Sequence, residues 1–123
     1  MNVQRTQLNE FSGTIENLGF FGNIYARHMT FPKTGDSLSG HSHEYDHVTL
    51  LSAGALQVKL WGVGGAEKIT DYTAPAFIEI QANRSHELTA LSDRTEAWCI
   101  FAVRDLDGTV MQRVDDDSLV TGF

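Results

Sequence analysis

The chain has 123 residues, 41% of them hydrophobic, enough for one core in one domain without covalent staples. A formal net charge of -7 and the lack of any basic stripe exclude a phosphate-neutralising surface, so nucleic acid is not an expected partner. The single cysteine, Cys99, excludes an internal disulfide framework and a cysteine-based zinc site, while the polar start MNVQRTQLNE and the lack of a long apolar run argue against a membrane span or secretion and for a cytoplasmic protein.

Eleven glycines punctuate the chain too often for long helices. In chain order, short runs of alternating or β-branched residues predict strands over 20–31 and 48–52. Leu56, Val58 and Leu60 then alternate with Gln57, Lys59 and Trp61, as in a half-buried strand. Gly62 to Gly65 predict a turn, and 67–73, 76–80, 86–91 and 95–104 complete the series. Many short strands at close spacing predict an all-β sandwich or barrel. The remainder, 105–123 with Asp115-Asp116-Asp117, reads as a solvated tail or an edge segment.

The stretch HSHEYDH, residues 41–47, holds three of the five histidines. Read as His43-Glu44-x-x-His47 on a helix, it would mark a zinc protease. Its flanks, Ser37, Ser39 and Gly40 before and Val48, Thr49 and Gly54 after, are poor helix formers, and that reading leaves His41 and His86 without a role. Read as a strand, His41, His43 and His47 share parity and face one side. Imidazoles converging inside a barrel begin a metal site, and a fourth ligand should come from another strand. His86, which alternates with Leu88 and Ala90, is the candidate. Glu44 and Asp46 have the opposite parity and are expected at solvent or orienting neighbouring groups.

These residues resemble a known family, the cupins. The first cupin motif runs G-x5-H-x-H-x3,4-E-x6-G, and Gly35, His41, His43, His47 and Gly54 meet every spacing, with His47 in place of the usual Glu. In the second, G-x5-P-x-G-x2-H-x3-N, only His86 survives; Pro75, Gln81, Asn83 and Ala90 stand at the Gly, Pro, Gly and Asn positions. The resemblance covers about residues 20–104 and implies a double-stranded β-helix (a jelly-roll barrel) in one cupin domain over 1–123. It also implies one divalent transition metal held by His41, His43, His47 and His86.

Four neutral imidazoles leave a divalent ion with its full charge, which strengthens it as a Lewis acid and draws anionic or enolate ligands. Zinc with four protein nitrogens would be closed and structural; iron, manganese or nickel would keep two positions open and are favoured, with zinc or copper as alternatives. The expected function is a metal-dependent, dioxygenase-like enzyme acting on a small diketone or enol-like molecule, the alternative being a non-catalytic metal-binding, ligand-binding or structural module. Candidate pocket residues are Tyr25, Arg27, Met29, Leu51, Leu60, Phe77, Cys99 and Phe101, with Cys99 buried on the apolar face of AWCIFAVRD and His28 in no special role. The expected partners are a small-molecule ligand and a second copy of the chain in a homodimer.

Overall fold

The computed structural model describes residues 11–42, 46–62, 67–105, 107–114 and 118–121. Among them every regular element is a strand: β1 (Thr14–Phe21), β2 (Ile24–Phe31), β3 (Ser37–His41), β4 (His47–Ala53), β5 (Ala55–Trp61), β6 (Glu67–Thr73), β7 (Ala76–Ile80), β8 (Ser85–Ala90), β9 (Thr95–Ala102), β10 (Met111–Val114) and β11 (Ser118–Thr121). Accordingly, none of these residues belongs to a helix long and apolar enough to cross a membrane.

Two sheets carry the fold. One has five strands in the order β1-β2-β9-β4-β7, the other four in the order β3-β8-β5-β6. All the pairings are antiparallel, and consecutive strands often lie in different sheets, as in a jelly roll. The inner faces obey the period of two. On β2, Tyr25, Arg27, Met29 and Phe31 are buried and the residues between them are not. The same alternation buries His47, Thr49 and Leu51 on β4, His86, Leu88 and Ala90 on β8, and Thr95, Ala97 and Cys99 on β9. Met29, Phe31, Leu51, Leu56, Val58 and Leu88 form the apolar centre, each worth about 1.5–3 kcal/mol of transfer free energy when fully buried.

One expectation is corrected. The run 20–31 is not one strand but the end of β1, a turn and β2. Gly22, at φ 68°, supplies the left-handed residue of a two-residue turn closed by the Phe21–Ile24 pair. The apolar residues on both sides hid that reversal from a periodicity argument. The stretch after 104, expected as a tail or an edge segment, forms a hairpin of its own among its described residues, β10 pairing with β11. Their hairpin is tied to the barrel where Met111 N–H donates to the Val103 carbonyl (2.8 Å) and the Asn23 side-chain amide donates to the Met111 carbonyl (2.7 Å).

Gly54, at φ 81°, joins β4 to β5 against fully buried Thr95: a Cβ there would lie 2.8 Å from the Thr95 Cα. Gly22 has the same handedness but open space around it. Gly54→Ala should therefore cost about 2–4 kcal/mol in urea denaturation, and Gly22→Ala only the backbone strain of about 1–2 kcal/mol. Equal costs would show that the contact with Thr95 does not limit the turn.

The β2–β3 connection is held to the β8–β9 connection by Asp93, whose carboxylate accepts from the Thr34 N–H (2.8 Å) and hydroxyl (2.9 Å). The backbone hydrogen bond and then the hydroxyl of Thr34 hold the Asp93 carboxyl below its ordinary value, against desolvation and with weaker help from the Arg94 and Lys33 charges. A depressed carboxyl contributes stability above its unfolded value and loses it as pH falls through the folded one. Asp93→Asn should thus lower the melting temperature at pH 7, and the gap from wild type should shrink as pH falls through and below the ordinary carboxylate range. A gap independent of pH would remove Asp93 from the acid response.

Candidate metal centre

His47 begins β4 in the five-stranded sheet, and His86 is the second residue of β8 in the four-stranded sheet. Their parity turns both inward, where they are 6% and 2% exposed, and their ring centres lie 5.3 Å apart with a 52° tilt. Two imidazoles on one ion at about 2.1 Å, at angles of about 90–110°, would have ring centres roughly 4.6–5.3 Å apart, the observed value lying at the wide end. The observed separation fits that arrangement. The Arg84 carbonyl accepts a hydrogen bond from His86 Nδ1 at 3.0 Å. A carbonyl can only accept, so the proton sits on Nδ1 and Nε2 carries the lone pair, the usual state of a ligating histidine.

The remaining two histidines are placed less fully. The His41 backbone pairs with His86 across β3 and β8, after a register shift between Leu38 and His41 that fits one extra residue into β3. His43 and Glu44 lie outside the described residues. Among the described residues no three His, Cys, Asp or Glu side chains group closely enough to hold a metal.

The parity argument across 41–47 needs correction. β3 ends at His41 and β4 starts at His47 in the other sheet, so the two histidines are not on one strand, and parity has no meaning across a change of sheet. His47 opens a strand, whereas an H-E-x-x-H site would need it on a helix. Three positions matched to cupin glycines share a left-handed backbone: Gly35 at φ 94°, Gly54 at φ 81° and Asn83 at φ 63°. Asparagine is among the few side chains that tolerate that region, so the substituted second motif keeps its turn.

Around the histidines, Tyr25 is buried and stacks on Phe101 with ring centres 4.7 Å apart. One row further in, Arg27, Cys99 and Thr49 are neighbours across β2, β9 and β4, with Arg27 Nη2 and Thr49 Oγ1 each 3.8 Å from Cys99 Sγ. Met29 and Leu51 lie deeper still, fully buried in the apolar centre. Leu60 pairs with His86 across β5 and β8. Phe77 is the exception. It is 76% exposed on the outer face, because Ile78 and Ile80 take the inward positions of β7. Glu79, at the same parity as Phe77, was the signal that could have excluded it.

An open depression of about 380 Å³ lies at the barrel rim, bordered by the outward-facing Ile24, Val48, Glu79 and Ile100 and touched by His47 and Phe101. Asp46, exposed at its rim, accepts the Ala82 N–H at 2.7 Å and so ties the start of β4 to the turn before His86. His28 lies on the outer face, stacked on Trp98 (3.9 Å between ring centres) and 2.8 Å from the Glu96 carboxylate. A second cavity, of about 220 Å³, lies between β6 and β7 and includes Lys68, Glu79 and Arg84, none of which the sequence pattern singled out.

No protein-family model matches the sequence, and no curated protein does. Solved structures do match the fold. An RmlC-like cupin family protein of Methanocaldococcus jannaschii aligns with TM-score 0.62 and 13% identity over 75% of this chain and 81% of that one. KdgF from Halomonas sp. aligns with TM-score 0.60 and 19% identity over 80% and 84%. The oxalate decarboxylase of Lactobacillus farciminis aligns with TM-score 0.62 and 20% identity over 81% of this chain and 32% of that one. At such identities the likeness shows the fold alone: the all-β double-stranded β-helix of the cupins.

Cys99 is 7% exposed on the inner face. Its thiol should react with a disulfide probe at least about 100-fold more slowly in native protein than in urea. A native rate close to the unfolded one would mean that the interior opens readily to solutes.

Proposed function

We propose that this cupin-fold chain is a metal-dependent protein in which His41, His43, His47 and His86 hold one divalent transition ion. The observation that carries the proposal is the meeting of His47 and His86 from opposite sheets, with the His86 Nδ1 proton committed to the Arg84 carbonyl. Two imidazoles buried together cannot both be charged without a large desolvation cost, whereas an ion uses their neutral lone pairs. His41 is drawn into the set by its register with His86, and His43 by its spacing.

The bound ion would supply Lewis acidity and, if it is iron, manganese or nickel, redox chemistry. The rest falls to the chain. His47 and Phe101 reach the barrel rim, where an open depression of small-molecule size is bordered by Ile24, Val48 and Ile100 and by the carboxylates of Asp46 and Glu79. Buried Arg27, one row below His47 on the inner face, adds a positive charge that favours an anionic or enol-like ligand at the ion, while Asp46 and Glu79 at the rim oppose it. The proposed reaction is accordingly dioxygenase-like, on a small diketone or enol-like compound.

Elemental analysis of untagged protein, wild type beside His86→Ala and His47→Ala, is the test. The expected result is about one equivalent of iron, manganese or nickel in the wild type and less than about a tenth in either variant. Oxygen uptake with a diketone panel should then follow metal content, and a chelator should abolish uptake. Metal retained in both variants would sink the four-histidine set. Stoichiometric zinc whose removal drops the melting temperature sharply would replace the enzyme with a structural module.

A further inference from the structure

The cavity between β6 and β7 lies outside the histidine centre and has a chemistry of its own. Lys68, Thr70 and Tyr72 line it from β6, Val58 and Leu60 from β5, and Arg84 closes one end. In register, His86, Leu60 and Lys68 form one row across β8, β5 and β6. At about 4.8 Å per strand, Lys68 stands roughly 10 Å from His86 along that row.

Three charged groups line the space: Lys68, Arg84 and Glu79. None of them forms an ion pair with any described residue. The Arg84 guanidinium also meets no hydrogen-bond acceptor among the described residues, and its Nε is buried. The Arg84 stem is pinned by Gly62: a Cβ at that position would lie 3.1 Å from both Arg84 Cδ and Nε. Its backbone is held as well, with the N–H donating to the Gln81 carbonyl and the carbonyl accepting from His86. Thus a guanidinium with open donors is held in place on one side of a cavity, and an ammonium lines the same cavity. The buried Arg84 Nε lacks a described acceptor, so an anion that meets the guanidinium satisfies a donor already taken out of water, while exposed Lys68 adds its charge.

From this cavity we infer a binding site for a small carboxylate, gripped between Lys68 and Arg84, with Thr70 and Tyr72 as further polar contacts. A volume of about 220 Å³ is below the usual range for drug-sized ligands, so the occupant is a compact organic acid. Glu79 lines the same space and repels it, which limits the site to modest affinity. The site does not depend on a metal at the histidines.

Malonate is the probe, titrated calorimetrically at low salt into metal-free protein with chelator present. Arg84→Gln and Lys68→Gln should each weaken binding at least about tenfold, the value of one lost charge-assisted contact. Glu79→Gln should tighten it several-fold. Lys59→Gln, which removes a charge paired with Glu67 outside the cavity, should leave it unchanged. Lys68 is exposed, so its variant keeps the test valid if Arg84→Gln fails to fold. No malonate binding to the metal-free wild type would overturn the site. So would equal affinity in all four variants, or phosphate displacing malonate at lower concentration. Malonate that binds only to metal-loaded protein would place the anion on the ion instead, and this outcome too would overturn it.

Discussion

The period of two along each strand, imposed on two facing sheets, is the constraint from which the interior follows. A one-residue slip of β4 would turn Val48 and Leu50 inward and send His47 and Thr49 out. The same slip in β8 would exchange His86 and Leu88 for Glu87 and Thr89. The contact between the His47 and His86 rings therefore exists only in one register of two sheets. The β4 register is closed by a turn that demands a left-handed residue, at Gly54, and β8 is entered through the left-handed Asn83.

Along the barrel the inner rows change in character. Met29, Leu51, Ala97 and Leu56 make an apolar layer in which no polar side chain has to be desolvated. Next come Arg27, Cys99 and Thr49, which share weak sulfur contacts. Then come His47, Phe101 and Tyr25, with His86 opposite. Polar groups are costly in the closed layer and cheaper near the mouth, where a ligand or water can meet them. The stability of the fold and the chemistry of its site thus occupy different rows of the same strands.

His86 links the two cavities. Its Nδ1 is fixed by the Arg84 carbonyl, the Arg84 side chain lines the cavity between β6 and β7, and its ring meets His47, which lines the larger one. Asp46 closes the circuit by holding Ala82, at the start of the same turn, to the first residues of β4. The turn 81–84 positions the interior more than its weak match to any motif suggests.

Local composition determined much of this in advance. The turn-rich, glycine-punctuated strands dictated an all-β barrel, because neither helix propensity nor a 3.6 period competes with them. Alternation placed Cys99 and His86 inward, where polar and apolar residues took opposite parities. It failed where an apolar stretch contained a tight turn, as at Gly22, and at Phe77 its signal, the shared parity with Glu79, was there but was outweighed by the aromatic side chain. The pairing of β10 with β11 was hidden because strands of four residues are too short to show a hydrophobic period. Tertiary structure alone decided that His41 and His47 belong to different sheets, and that Arg84 and Lys68, sixteen residues apart, border one cavity. Such proximities arise from sheet order and register, which are properties of the whole chain and leave no mark on the residues that they bring together.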